Sequence, residues 1–435
     1  MKTLSQFAVI LALGLAACTS SAPVKDAALT WRPAIDLILS AFEHHPLVAV
    51  SEGAGHGQLE TLDFFAALIR DRRFSATVTN LVIEFGNARY QAVLDRYVSG
   101  GPVTRDELRH VWEDTTQVSG VWSLPMYEQM LAEVRSVNEG LPPAHRIRVI
   151  AGDPPIDWSV VTGPADEDMN DWRDAHVAHV IEREVMRQRE RALILIGGAH
   201  ISRKVVFPNS LIHLLDLRFP GRTWVAGVLD LERVEPEIAS RLRADTAPAG
   251  TSVRNTWLGK LDARRIGFNL SIGDVEDNVD ALLLLSSSRL HAQPPIPLDP
   301  TYERELMRRR ALGDATLPFR GARIRFKDRV AELEADADEP LQAVLKELLR
   351  DRGLRVLVKA FADGTEFDAD TLSLQRARLV VDWLTARGVE RERMLPRGCG
   401  AGRPLTLGNT ALERAMNRRA ELVRLTPTAA CEPPW

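Results

Sequence analysis

Four short apolar runs constrain this chain more than any other feature. PLVAVS, TNLVIEF, RIRVIAG and RALILIGG are rich in Val, Ile and Leu, and each breaks at a small or acidic residue. Amphipathic helical patterns lie between them, as in ETLDFFAALIRDRR and RDAHVAHVIEREVMRQRER. Strands that are apolar on both sides need cover on both faces, and helical crossovers make such strands parallel. The expected class is therefore α/β, with an N-terminal, mostly parallel sheet and flanking helices. A later run, NVDALLLLSSS, is expected to add another strand.

The texture changes beyond HAQPPIPLDP, residues 291–300, whose four prolines forbid a helix or a central strand. From about Leu317 the chain reads as a strand, then a helix with Leu341, Val344, Leu345 and Leu348 on one face. LRVLVKAF is a strand, and TLSLQRARLVVDWLTARG a second helix with Gly388 at its C-terminal end. NRRAELVRL closes the block as a strand, giving a C-terminal βαβαβ unit. The expected layout is an α/β domain at 31–310, a smaller domain at 311–427 and a tail at 428–435. A chain of 435 residues has room for this. With 45% apolar and 26% charged residues it has the composition of a globular protein. A net charge of −4 offers no basic surface for nucleic acid.

The first residues read as an address. MKTLSQFAVILALGLAACTSS has one Lys, an apolar run from Phe7 to Leu15 and then small residues, which is the layout of a secretory signal. LAAC, ending at Cys18, resembles a bacterial lipobox. That resemblance implies a signal peptide over 1–18, acylation of Cys18, a tether over 19–30 and, with Thr19 following, the periplasmic face of the outer membrane. Multiple acyl chains, palmitate among them, make such an anchor durable. Cys399 and Cys431 remain, and the sequence leaves open whether they pair or stay free thiols.

The C-terminal block resembles the OmpA C-terminal family of peptidoglycan-binding domains. The resemblance rests on VKAFADG, LSLQRARLVVDWLTARGV, RMLPRGCGAGRP and NRRAEL, in that order. It implies a clamp for the diaminopimelate zwitterion of the wall's stem peptide, in which Asp363 faces the ammonium and Arg376 the carboxylate. Asn417 and Arg419 are expected to line or brace that pocket. Ala362 stands where the family has Thr, and the loop after Asp363 is about two residues shorter.

In the larger domain, the strand ends carry Glu52 with His56, Glu84, Asp153 and His200. Ligands of open parallel sheets bind outside the carboxyl ends of the strands. The segments EGAGHGQLE, LVIEFG, RVIAGDPP, WRDAHVAHV and LILIGGAHI together resemble the erythromycin-esterase-like superfamily and the related ChaN-type haem-binding lipoproteins. The resemblance implies a hydrolase in which His56 is the general base, Glu84 orients it and His200 stabilises the oxyanion or leaving group. Glu52 and Asp153 would position these groups. Here three residues separate Glu52 from His56, where the family has two.

Two alternatives stay open. One is a haem-, metal- or other ligand-binding lipoprotein without turnover, with His56, His200 and Glu84 as candidate metal ligands. The other is a plain membrane-to-wall tether. No cofactor is required by the sequence, and the small-molecule ligand or substrate is unidentified. The Trp residues, Trp122 among them, are expected in the core.

Overall fold

The computed structural model describes residues 29–425, apart from 54, 119, 160, 162–172, 206–209, 295–296, 315–322, 402–403 and 406–409. The lipobox cysteine, most of the tether and the tail lie outside the described residues.

Among the described residues, twelve strands form two sheets. Those of the first are β1 (Arg32–Pro33), β2 (Leu47–Ser51), β3 (Asn80–Asn87), β4 (Arg148–Asp153), β5 (Ala192–Ile196), β6 (Thr223–Val228), β7 (Ala249–Ser252) and β8 (Ala281–Leu284). Their spatial order is β1-β7-β8-β6-β2-β5-β3-β4. The six from β8 to β4 pair in parallel, while β7 and β1 are antiparallel additions at one edge. This is the mixed α/β architecture expected from the apolar runs, which became β2, β3, β4, β5 and β8.

Alternation along the strands shows why both faces needed cover. In β2, Val48 and Val50 enter one hydrophobic core while Leu47 and Ala49 enter the other. In β5, Leu193 and Leu195 face the first core and Ala192, Ile194 and Ile196 the second. The helices Leu59–Arg70 and Pro125–Glu139 cover the first face, and Arg173–Ile181 and Leu211–Arg218 the second. The placement matters for function: all parallel strands end at one edge, and β2, β5, β3 and β4 are consecutive neighbours there.

The second sheet contains β9 (Ile324–Arg325), β10 (Val356–Ala360), β11 (Met394–Gly398) and β12 (Arg419–Arg424), in the order β11-β10-β12-β9. The helices Asp338–Arg350 and Ala369–Thr385 cover it through Leu341, Val344, Leu348, Ala377, Val381 and Leu384. Cys399, just beyond β11, is disulfide-bonded. The helix Pro300–Asp314, which follows the proline-rich segment, belongs with the larger unit: Arg309 Nη2 donates to Asp114 Oδ1 at 2.7 Å and Tyr302 Oη to the Glu113 carbonyl at 3.1 Å. No helix among the described residues is long and apolar enough to cross a membrane.

Candidate functional site

At the carboxyl edge of the larger sheet the chain turns sharply after β2. Gly53 has φ 105°, in the left-handed region, and a Cβ there would sit 2.3 Å from Gln58 Oε1. The turn brings His56 back over Glu52, and His56 Nδ1 lies 2.9 Å from Glu52 Oε2. A carboxylate only accepts, so Nδ1 carries the proton and Nε2 is left as the basic nitrogen. The spacing of three intervening residues therefore still yields direct contact. Tyr127 Oη donates to the same Glu52 oxygen at 3.1 Å, and the edge of Trp122 meets the imidazole at 4.4 Å between ring centres.

Glu84 comes from β3 and is 3% exposed. Its Oε1 lies 3.0 Å from Arg173 Nη2 and 3.4 Å from His200 Nε2, and its Oε2 accepts the Gly197 amide. Arg173 is the hub of this layer, because its Nε also donates to Asp153 Oδ1 at 2.8 Å. Asp153 takes two further bonds at 2.7 Å, from the Thr116 amide and hydroxyl. Asp153 is 0% exposed and thus braces Arg173 from behind instead of facing the cleft. His200 Nδ1 lies 2.6 Å from Asp174 Oδ1; the contact is off the hydrogen-bonding axis, so it acts as a charge pair.

The surrounding carboxylates bias both imidazoles toward the charged form. For His200, burial disfavours the imidazolium, but Asp174 and Glu84 outweigh burial and raise its pKa to about 9. For His56, burial again opposes charge, yet Glu52 and Glu84 still raise the pKa above its ordinary value. Burial would also raise Glu84; Arg173, His200, His56 and the Gly197 amide hold its carboxyl well below the usual range. Asp153 goes the other way: burial lifts it to about 6 against Arg173 and Thr116.

A cleft of about 360 Å³ opens over these groups, lined by His56, His200, Arg233, Phe268, Asn269 and Leu270 together with glycines. Gly197 is needed on its floor, since a Cβ there would stand 3.0 Å from both Glu84 Oε2 and His56 Cε1.

Donor atoms of Glu52, His56 and Glu84 lie within 4.8 Å of one another, so a divalent ion is worth testing against the site. The fit is poor. Glu84 is bound by a guanidinium whose charge repels a cation, and Glu52 Oε2 already receives two donors, which leaves Glu52 Oε1 and His56 Nε2 as two free ligand atoms where a metal site needs three or more. His200 does not suit haem iron, because both its ring nitrogens face carboxylates.

Of the five residues expected here, His56 and His200 line the cleft, Glu52 and Glu84 lie buried in contact with them, and Asp153 stands behind Arg173. Sequence reasoning gave no role to Arg173, Asp174 or Tyr127 and expected Trp122 only in the core. The Arg-Asp pair opening its helix was a visible signal for the first two. Nothing in the sequence marks Tyr127 or Trp122, because their contacts join distant segments.

In the smaller domain, Asp363 follows β10 and is 4% exposed. Its Oδ1 accepts from the Thr365 amide and hydroxyl at 3.0 and 2.7 Å, and its Oδ2 from Asn417 Nδ2 at 2.9 Å. Asn417 therefore contacts Asp363 directly. Arg376 does not reach the same surface: it is 0% exposed and forks onto Glu366 at 2.6 and 2.7 Å. Arg419 is also buried, over the Phe361 ring at 4.1 Å and against Glu421.

Residues 325–418 match the OmpA family, and the C-terminal domain is an OmpA-family domain. The peptidoglycan-binding protein ArfA of Mycobacterium tuberculosis, and that of Mycobacterium bovis, are 34% identical over 105 residues, 24% of this chain. The match spans 32% of the length of those curated relatives. Among solved structures, the peptidoglycan-associated lipoprotein from Burkholderia pseudomallei is 24% identical, with 26% of this chain and 98% of that one covered at a TM-score of 0.24. The cell wall anchor of the T6SS from Pseudomonas aeruginosa is 25% identical, with 23% and 75% covered at a TM-score of 0.21.

Proposed function

We propose that this is a cell-envelope protein that holds peptidoglycan through its C-terminal domain and hydrolyses a small acyl ester in its N-terminal domain. Wall binding is supported by the OmpA-family match over 325–418 and by Asp363 at the strand end. The lipobox resemblance at Cys18 adds a lipid anchor in the outer membrane.

One observation carries the hydrolytic reading: two imidazoles, one held by Glu52 and one by Asp174, flank Glu84 at the same cleft. His56, held by Glu52 through Nδ1, takes a proton from water at Nε2 as the water oxygen attacks the acyl carbon. The charge of the His200 imidazolium stabilises the developing oxyanion, and the C–O bond breaks as the proton taken up by His56 passes to the leaving alkoxide. Glu84, locked by Arg173, keeps His200 charged and in place. Solvent water supplies the hydroxyl, so no co-reactant is needed. Ligand binding without turnover is the competing reading.

The test uses the full chain. A panel of chromogenic short-chain and lactone esters is assayed with the wild type, His56→Ala and Glu84→Gln, with and without a chelator. Turnover lost in both variants and indifferent to chelator supports the metal-free base. Chelator-sensitive turnover points to a metal centre, and binding without turnover in the wild type sinks hydrolysis.

A further inference from the structure

Arg233 lines the same cleft as His56 and His200, yet neither proton transfer nor oxyanion stabilisation uses it. It lies in the loop that follows β6, where its amide donates to the Asp230 carbonyl at 2.9 Å. Its only charged partner is Asp230, three residues back, with Oδ2 3.6 Å from Arg233 Nε. That is too long for a hydrogen bond, and Asp230 Oδ1 is already taken by the Glu232 amide at 3.2 Å. Exposed pairs of this kind hold little energy. The Nη1 and Nη2 fork of Arg233, which suits an oxyanion, therefore has no partner among the described residues. No described residue lining the cleft is acidic. The nearby carboxylates sit behind that lining: Glu52 is bonded to His56, Glu84 to Arg173, and Asp174 pairs with His200.

The wall beside Arg233 is apolar. A Cβ on Gly267 would come within 2.8 Å of Arg233 Cβ, so this glycine, at φ 89°, lets the two loops touch. Phe268 follows it, and a Cβ on Gly227 of β6 would stand 2.4 Å from the tip of the Phe268 ring. Leu270 lines the cleft too and is exposed, an unusual place for a large aliphatic side chain beside a cation. This wall is tied to the segment that carries His200. Ser271 Oγ lies 2.6 Å from Ser202 Oγ, directly after the short helix Gly198–Ile201, and the Ile272 amide donates to the Lys204 carbonyl at 2.8 Å. A cleft of about 360 Å³ has the size of a small-molecule site. We propose that Arg233 is the anion subsite of this cleft, and that its substrates are amphiphilic esters whose apolar chain crosses Phe268 and Leu270 and ends in a carboxylate or phosphate at the guanidinium. The assignment rests on the hydrolytic reading for the bond that is cleaved and adds the substrate class.

Hydrolysis of three nitrophenyl esters of matched chain length by the full chain tests it: the hexanoate, the adipate with its free carboxylate, and the phosphonohexanoate. The wild type should favour the anionic esters over the hexanoate at least tenfold in kcat/KM, and the better of the two names the oxyanion. Arg233→Gln should erase that preference, chiefly by raising KM for the anionic esters, and Arg233→Lys should keep part of it. Leu270→Ser should weaken all three esters a few-fold and leave the preference in place. Arg254→Gln changes an exposed arginine beyond β7, at the opposite edge of the sheet, and should behave as the wild type. A wild type without preference, or an Arg233→Gln variant that keeps it, overturns the subsite while hydrolysis stands. An equal loss in Arg254→Gln would show a general charge effect and would also overturn it. Calorimetric titration with adipate monoanilide, which has no ester to cleave, separates the two readings. If no ester is turned over but the anilide binds the wild type at least tenfold more tightly than Arg233→Gln, hydrolysis falls and the subsite stands. If the anilide binds both alike, or neither, the subsite falls.

Discussion

Two buried arginines, one in each domain, meet their carboxylates in different ways. Arg376 is closed: every donor has a protein partner and Glu366 neutralises it. Arg173 is open: it bridges Glu84 and Asp153, yet its Nη1 has no partner among the described residues, and His200 shares Glu84 with it. Burial alone therefore does not mark a functional arginine. What separates the two is whether the network ends in backbone carbonyls or runs on to groups that face a cleft.

The sharpest way to break this comparison is to remove each guanidinium. Arg376→Gln strands Glu366 and should cost about 3–5 kcal/mol in denaturant unfolding of the C-terminal domain. The double change Arg376→Met with Glu366→Met should restore most of that loss, because no charge is left uncompensated. Arg173→Gln should cost a similar amount and should also abolish turnover, which the Arg376 variants leave alone.

His56→Ala tests the open side directly. A positioned general base contributes roughly 10²–10⁴-fold, so kcat should fall by that factor while thermal unfolding changes little. Gly197→Ala comes next. Its new Cβ must press on both Glu84 and His56, and overpacking of this kind costs about 1–3 kcal/mol. The readout is a fall in kcat larger than any fall in Tm.

The smallest effects are in pH. His56 must be neutral and His200 charged, so activity should rise through the raised His56 pKa, at a pH higher than for a free imidazole, and fall near pH 9. Replacing His200 with Gln should remove the alkaline limb. Stability follows the same group. Because folding raises the His200 pKa, its contribution is complete below the unfolded value of about 6.5 and disappears as pH rises to about 9. That contribution is at most on the order of 3 kcal/mol, and urea titrations of wild type and His200→Gln across that range measure it.

Much of the fold was legible because strands with two covered faces are apolar throughout. Val48, Ile83, Ile150 and Ile194 announce such strands without reference to anything distant. β6 was harder to see: its TWVAGV opens with Thr and Trp after a turn and lacks the long aliphatic run of β5. β1 and β7 are short edge additions whose pairing is set by the neighbouring strand. The C-terminal motifs were legible because they are contiguous and occur in a fixed order.

The sequence by itself determined that acidic and imidazole groups stand at the ends of successive parallel strands, since strand direction and a glycine-rich turn are local properties. Only the tertiary structure decided which of them work together. It set Asp153 behind Arg173, brought Tyr127 and Trp122 onto Glu52 and His56, and let Glu366 close on Arg376. The physical reason is that the partner of a buried charge is chosen by whichever donor or acceptor the packed chain brings within reach, and spacing along the sequence carries no record of that choice.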